Sequence, residues 1–267
     1  RAAVSTSAWL IAQNLAVLGG LLAVQKVVGR VHGLEALGGF SAAMLIVDTA
    51  VMAIMSSART YTLPALGRLN DESQKRALLS RVLALRVVAS TAVSAVFIFG
   101  ARPVLMILFS SRFGAAADVM TIFSFSLIAL SFSWSYNSFL LHKSDMRSYV
   151  LIDMAWIAAM FLSVWICGRL GLSVNAMVWS YTGSCVLSAG LYAVFCARRY
   201  GFTLLTAENV RLGGGCVAWL MAAFLVSRQT SLLWPAAFLG ASAAAAWTSG
   251  LVQRVTGWLE LDRSAAA

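Results

Sequence analysis

Eight stretches of about 20 predominantly apolar residues, separated by short connectors, constrain this chain more than any other feature. They run from Ala8 to Val28, Leu37 to Ala58, Leu79 to Phe99, Val119 to Leu141, Val150 to Cys167, Ala176 to Cys196, Leu212 to Val226 and Leu232 to Val252. A run of that length spans the hydrocarbon core of a bilayer as a helix, which satisfies every backbone polar group within the segment. Charged residues make up only 11% of the 267 positions, against about 25% in soluble domains, too few for a water-facing surface. The expected fold is all-α, a polytopic bundle of about eight transmembrane helices.

Basic residues are retained on the cytoplasmic side of short loops, so their distribution sets an orientation. One set of termini and connectors carries Arg1, Arg59, Arg68, Lys75, Arg76, Arg81, Lys143, Arg147, Arg198, Arg199, Arg211, Arg254 and Arg263. The other carries Lys26, Arg30, Arg102, Arg112, Arg169 and Arg228. Thirteen against six predicts both termini in the cytoplasm, which an even number of spans requires. The formal net charge of +10 is then a topology signal, and nucleic acid is not expected as a partner.

The Thr60 to Leu78 stretch, with Pro64 and the polar run Asn70 to Arg76, reads as a cytoplasmic connector. A second polar stretch, Gly201 to Arg211, divides the chain into a six-helix unit at 1–200 and a helix pair with a short tail at 201–267. The chain begins at Arg1 without a cleavable signal, and further sequence is expected upstream. Cys167, Cys185, Cys196 and Cys216 form no CxxC pair, and neither His32 nor His142 lies near them, so no metal or other cofactor is expected.

Polar groups at membrane depth carry the functional signal, because a charge there is costly and normally faces protein or a hydrated cavity. Asp48 stands at the middle of the second span, with Met52, Met55 and Arg59 following at spacings of four, seven and eleven on one helical face. Asp48 and Arg59 are then roughly 16 Å apart, too far to pair, so a hydrated cavity would serve both. Arg86 enters the third span about two turns from its cytoplasmic end and can snorkel or point into that cavity. Gln13, Asn14 and Asn137 either line the same space or link helices, and Asp153, one turn inside its span, reads as interfacial. No HExxH, GxSxG or phosphate-binding glycine loop is present, so no enzymatic role is expected.

The order of these features resembles the polysaccharide flippases of the multidrug/oligosaccharidyl-lipid/polysaccharide exporter superfamily, in their C-terminal lobe. The resemblance rests on Leu37 to Ala43 (Leu-Gly-Gly-Phe-Ser-Ala-Ala), on Thr62 to Leu66 around Pro64, on Leu105 to Ala116, where Ser110 replaces the usual glycine, and on the glycine loop Gly168 to Ala176. It implies one six-helix lobe plus the extra helix pair of fourteen-helix members, with an N-terminal lobe elsewhere. It further implies movement of an undecaprenyl-diphosphate-linked oligosaccharide across the bacterial cytoplasmic membrane for lipopolysaccharide or exopolysaccharide assembly, alongside a polysaccharide polymerase and glycosyltransferases. On that reading Arg59, Arg86, Gln13, Asn14 and Asn137 are substrate-cavity candidates, and Asp48 is the ion-coupling candidate. The alternatives are a related drug or peptidoglycan-precursor transporter and a membrane-embedded glycan polymerase or transferase.

Overall fold

The computed structural model describes residues 2–227, with side chains from Ala8 onward, and every regular element in it is helical. Helix α1 runs Ala2–Arg68 and is broken at Gly33, whose φ of 85° lies in the left-handed region open to glycine. Its two limbs, 2–32 and 34–68, are separate crossings. There follow α2 (Glu72–Leu108), a 3-10 turn (Ser111–Ala116), α3 (Ala117–Ser124), α4 (Ser126–His142), α5 (Met146–Arg169), α6 (Val174–Tyr200) and α7 (Ala207–Ser227). The turn, α3 and α4 together make one apolar stretch, Ser111–His142. The seven crossings counted this way correspond to the first seven expected spans. The eighth, Leu232 to Val252, lies outside the described residues.

The helices are longer than their apolar cores, and the expected Thr60 to Leu78 connector shrinks to residues 69–71. Pro64 does not end α1; it removes one N–H from the ladder, a loss the last turns of the helix tolerate. Asp71 then caps α2, its carboxylate accepting from the Ser73 amide at 3.1 Å and from the Ser73 hydroxyl. Asp145 caps α5 through the Ser148 amide at 3.2 Å, and Ser173 caps α6 through the Ala176 amide at 3.4 Å. Gly201, left-handed at φ 59°, closes α6.

Close packing relies on small residues, as expected where lipid supplies no hydrophobic drive between helices. A Cβ on Gly20 would stand 2.5 Å from Ile157 Cγ2, and one on Gly168 would stand 3.0 Å from Val27 Cγ1, so α1 and α5 meet through missing side chains. Two of the quoted sequence segments also meet: Gly39 faces Ala116, where a Cβ would be 2.9 Å from its neighbour. Beside them Phe40 packs edge-on to Phe123, and Phe123 to Tyr181, each at 5.1 Å, joining α1, α3 and α6. Helix α7 packs on α2 and α4, with Asn209 donating to Ser80 at 3.0 Å and Gly213 against Phe132.

The connectors gather into two groups. At one end Arg76 donates to the Gly201 carbonyl at 3.1 Å, Lys143 pairs with Glu72 at 2.7 Å, Tyr200 donates to Asp145 at 2.6 Å, and Phe139 stacks on Phe202 at 3.9 Å. At the other, His32 meets the Leu172 carbonyl at 3.0 Å and Gly38 faces Phe113. The first group holds the arginine-rich connectors and is called the basic end below.

Candidate functional site

The interior of the basic half is polar, although the helices around it are not. Asp153 on α5 is 6% exposed and accepts from Gln13 Nε2 of α1 at 2.8 Å and from the Tyr192 hydroxyl of α6 at 2.6 Å. The expectation that Asp153 is interfacial is therefore corrected: α5 starts at Met146, two turns before it, and the carboxylate points inward to a node joining three helices. Gln13, a cavity candidate from sequence, spends its amide on that node. Such bonds at membrane depth hold helices in register.

Arg86 is 1% exposed and does not snorkel. Arg86 lies about 10 Å past the start of the apolar run at Leu79, within a side chain's reach of the interface, yet its side chain turns inward to α4 instead. Its Nη1 donates to Ser135 Oγ on α4 at 2.9 Å. Serines continue this α2–α4 seam: Ser90 and Ser131 are hydrogen-bonded at 2.9 Å, and Ser94 donates to the Ser124 carbonyl at 2.8 Å. Arg59, half-buried on the second limb of α1, lies within electrostatic range of both Arg86 and Tyr149. Asn137 on α4 is half-buried, with its Oδ1 unpartnered among the described residues.

The outward surface of that second limb carries hydroxyls among its apolar residues, Leu45 and Met52 included. Thr49, Ser56, Ser57 and Thr60 are exposed along it, each hydroxyl donating to the carbonyl four residues before. The outward faces of α5 and α6 instead present Leu151, Phe161, Leu162, Trp165, Val186, Leu187 and Val194, as lipid contact demands. Asp48 and Arg59 are both half-buried on the limb's flank, but the expected methionine stripe splits, Met55 turning fully inward while Met52 is 54% exposed. Asp48 lies within electrostatic range of Tyr181 and Cys185 on α6 and accepts no hydrogen bond among the described residues. Asn14 sits on the first limb among the outward Ile11, Leu15 and Leu18, away from the other candidates.

Toward the basic end the hydroxyl face runs into a cleft of about 560 Å³ between the end of α1 and the start of α2. Thr60, Tyr61, Pro64, Arg68, Gln74 and Arg81 line it. Sequence reasoning counted Arg68 and Arg81 only as topology charges. Arg68 is the last residue of α1 and Arg81 lies nine residues past the start of α2, and only the closeness of the two helices puts them in one cleft. Just beyond, burial pushes the Asp145 carboxyl up, while bonds from the Tyr200 hydroxyl and from Ser148 outweigh it and hold the group below the usual carboxylate range. Among the described residues no cluster of three or more His, Cys, Asp or Glu side chains could hold a metal.

Residues 1–118 are similar to the family described as "Polysaccharide biosynthesis protein". The matched stretch takes in both limbs of α1, all of α2, and with them Asp48, Arg59, Arg68, Arg81 and Arg86. No curated protein and no solved structure matches the chain. The match supports a role in polysaccharide biosynthesis.

Proposed function

We propose that this chain is one lobe of a flippase that moves an undecaprenyl-diphosphate-linked oligosaccharide from the cytoplasmic to the periplasmic leaflet of the bacterial inner membrane. The observation that carries the reading is the hydroxyl-lined outward face of residues 34–68, which ends in an arginine-lined cleft at the basic end. A sugar and diphosphate head cannot cross hydrocarbon unaided, and a hydroxylated wall offers it hydrogen bonds at membrane depth. Because each of these hydroxyls already bonds its own helix, the wall is satisfied with or without a head group. Arg68 and Arg81 meet the diphosphate in the cleft, and Arg59 receives it deeper, through the paired N–H bonds a guanidinium makes to phosphate oxygens. A second lobe closes the wall into a cavity, and the polyprenyl tail stays in the bilayer.

Asp48, at the level where the hydroxyl face begins, is the proposed cation or proton carrier. Glycosyltransferases would build the cargo on the cytoplasmic side, and a polymerase would use it on the other. Arg86, sealed inside the lobe, takes no part in head-group contact in this conformation.

The test uses the full-length protein in its native host. Arg59→Ala and the pair Arg68→Ala/Arg81→Ala each lower glycan export about tenfold or more at unchanged protein abundance, with lysine restoring it only in part. Asp48→Asn stops export while labelled lipid-linked substrate still binds. Ser73→Cys, on the basic end, is labelled from the cytoplasm. Normal export by these variants, or labelling of Ser73→Cys from the periplasm, refutes the reading.

A further inference from the structure

The four sequence segments singled out above divide between two cavities. Thr62 to Leu66 lies at the arginine-lined cleft of the basic end, which takes in Pro64 and Ala65. The other three converge at the opposite end: Leu37 to Ala43 supplies Phe40, Leu105 to Ala116 supplies Arg112 and Phe113, and Gly168 to Ala176 supplies Asn175. With His32 and Glu35, on either side of the Gly33 break, these residues line a cavity of about 1000 Å³. That volume lies at the upper end of the roughly 300–1,000 Å³ of small-molecule sites, room for a ligand of more than one ring.

The cavity is built from elements far apart in sequence. A carbonyl can only accept, so His32 Nε2 donates to the Leu172 carbonyl at 3.0 Å and ties the first limb of α1 to the connector between α5 and α6. Gly39 lets the second limb close on the 3-10 turn, since a Cβ there would stand 2.9 Å from Ala116 Cβ. Buried Phe40 holds the same limb edge-on to Phe123 of α3.

Its polar lining differs in kind from that of the cleft. The cleft has Arg68 and Arg81 and no acid, a set that suits a diphosphate. Here one carboxylate stands with one guanidinium, Glu35 with Arg112, both exposed. The two do not pair with each other, and with Asn175 they make no side-chain hydrogen bond or ion pair among the described residues. A phosphate would meet Glu35, and a metal ion or amine would meet Arg112. A hydroxyl faces no such conflict, because it donates to a carboxylate, accepts from a guanidinium, and does either with an amide. Much of the remaining wall is apolar, including Phe40, Phe113 and Val119, and suits a ligand that carries C–H faces beside its hydroxyls.

We propose that this cavity is a saccharide site, which takes the phosphate-free sugar units of the cargo at the end where the flippase releases it. The inference rests on the flippase reading, because passage away from the arginine cleft is what brings sugar to this end. Glu35 accepts from sugar hydroxyls, Arg112 donates to them, Asn175 does both, and Phe113 lies against a ring face. The two ends of the lobe thus divide the head group, diphosphate at the cleft and sugar at the far cavity.

Binding is read on purified full-length protein in phosphatidylcholine nanodiscs. The probe is the oligosaccharide freed from the host's own lipid-linked glycan by mild acid, without diphosphate or lipid, and labelled with a fluorophore at its reducing end. Saturable binding is expected. Glu35→Ala and Arg112→Ala, both at exposed positions, leave the thermal midpoint unchanged and each weaken binding about tenfold. No saturable binding to the unaltered protein, or binding undiminished in either variant, overturns the proposal. So does displacement of the probe by inorganic pyrophosphate at equal concentration, which assigns the cavity to phosphate, or by glycerophosphoethanolamine, which assigns it to a zwitterionic lipid head group. The assay needs no transport. Absent saccharide binding beside impaired export in the arginine-cleft variants defeats this inference alone, whereas saccharide binding beside normal export in those variants defeats the flippase reading alone.

Discussion

Replacing Tyr192 with phenylalanine deletes one hydroxyl and almost no volume, so it isolates the polar node that joins α1, α5 and α6. That hydroxyl donates to Asp153 Oδ1 at 2.6 Å and lies 3.3 Å from the Tyr149 carbonyl. Its loss leaves a carboxylate that is 6% exposed with Gln13, at 2.8 Å, and the Tyr149 side chain as its remaining donors. Hydrogen bonds to charged groups contribute about 1.5–3 kcal/mol in water-soluble proteins. Interhelical bonds in membranes average only about 0.6 kcal/mol, because the separated helices find other partners. A short bond to a buried carboxylate belongs between these, so Tyr192→Phe should cost about 1–2 kcal/mol, or roughly 2–8 °C in thermal midpoint for a chain of this size. Thermal unfolding of purified protein in nanodiscs measures it, and a double-mutant cycle with Asp153→Leu separates the pair from its surroundings. A Tyr192→Phe midpoint equal to that of the parent, or an equal loss in the Asp153→Leu background, would show that the node does not hold the helices.

Gly20→Ala sets a methyl 2.5 Å from Ile157 Cγ2 and should cost about 1–3 kcal/mol, partly recovered by Ile157→Ala, whereas Gly19→Ala, with nothing within 4 Å, should be close to neutral; equal effects at the two glycines in the same unfolding assay would refute the packing argument. Asp145, held below its ordinary value of 3.8, should contribute fully above that value and lose its contribution as pH falls through the depressed one. Asp145→Asn should therefore lower stability by about 1 kcal/mol at neutral pH and flatten the acid limb of a stability-against-pH curve, and an unchanged acid limb would refute the assignment.

Fold class and the first seven apolar runs were legible in the sequence because the bilayer imposes a one-dimensional rule: a helix that crosses hydrocarbon must be long, apolar and self-satisfied. The seven described crossings sit where the apolar runs place them, and the connectors divide between the two ends as the run count requires. Helix ends were less legible. Pro64 read as a break, yet α1 runs on to Arg68, since one lost bond near a helix end costs less than a new terminus would.

What a polar residue faces inside the bundle is a property of packing and has no such one-dimensional rule. Asp48, Arg59, Arg86 and Asp153 look alike in sequence, as rare charges in apolar runs. Asp153 becomes a structural node only because Gln13 and Tyr192, 140 and 39 residues away, converge on it. Arg86 is sealed while Arg59 keeps a half-open flank, because α4 covers one and leaves the other beside the hydroxyl face. The sequence by itself determined that these groups lie at membrane depth, since the apolar runs around them leave no alternative. Only the tertiary structure decided which are spent on holding helices together and which are left to act, because that depends on which neighbour reaches each one first.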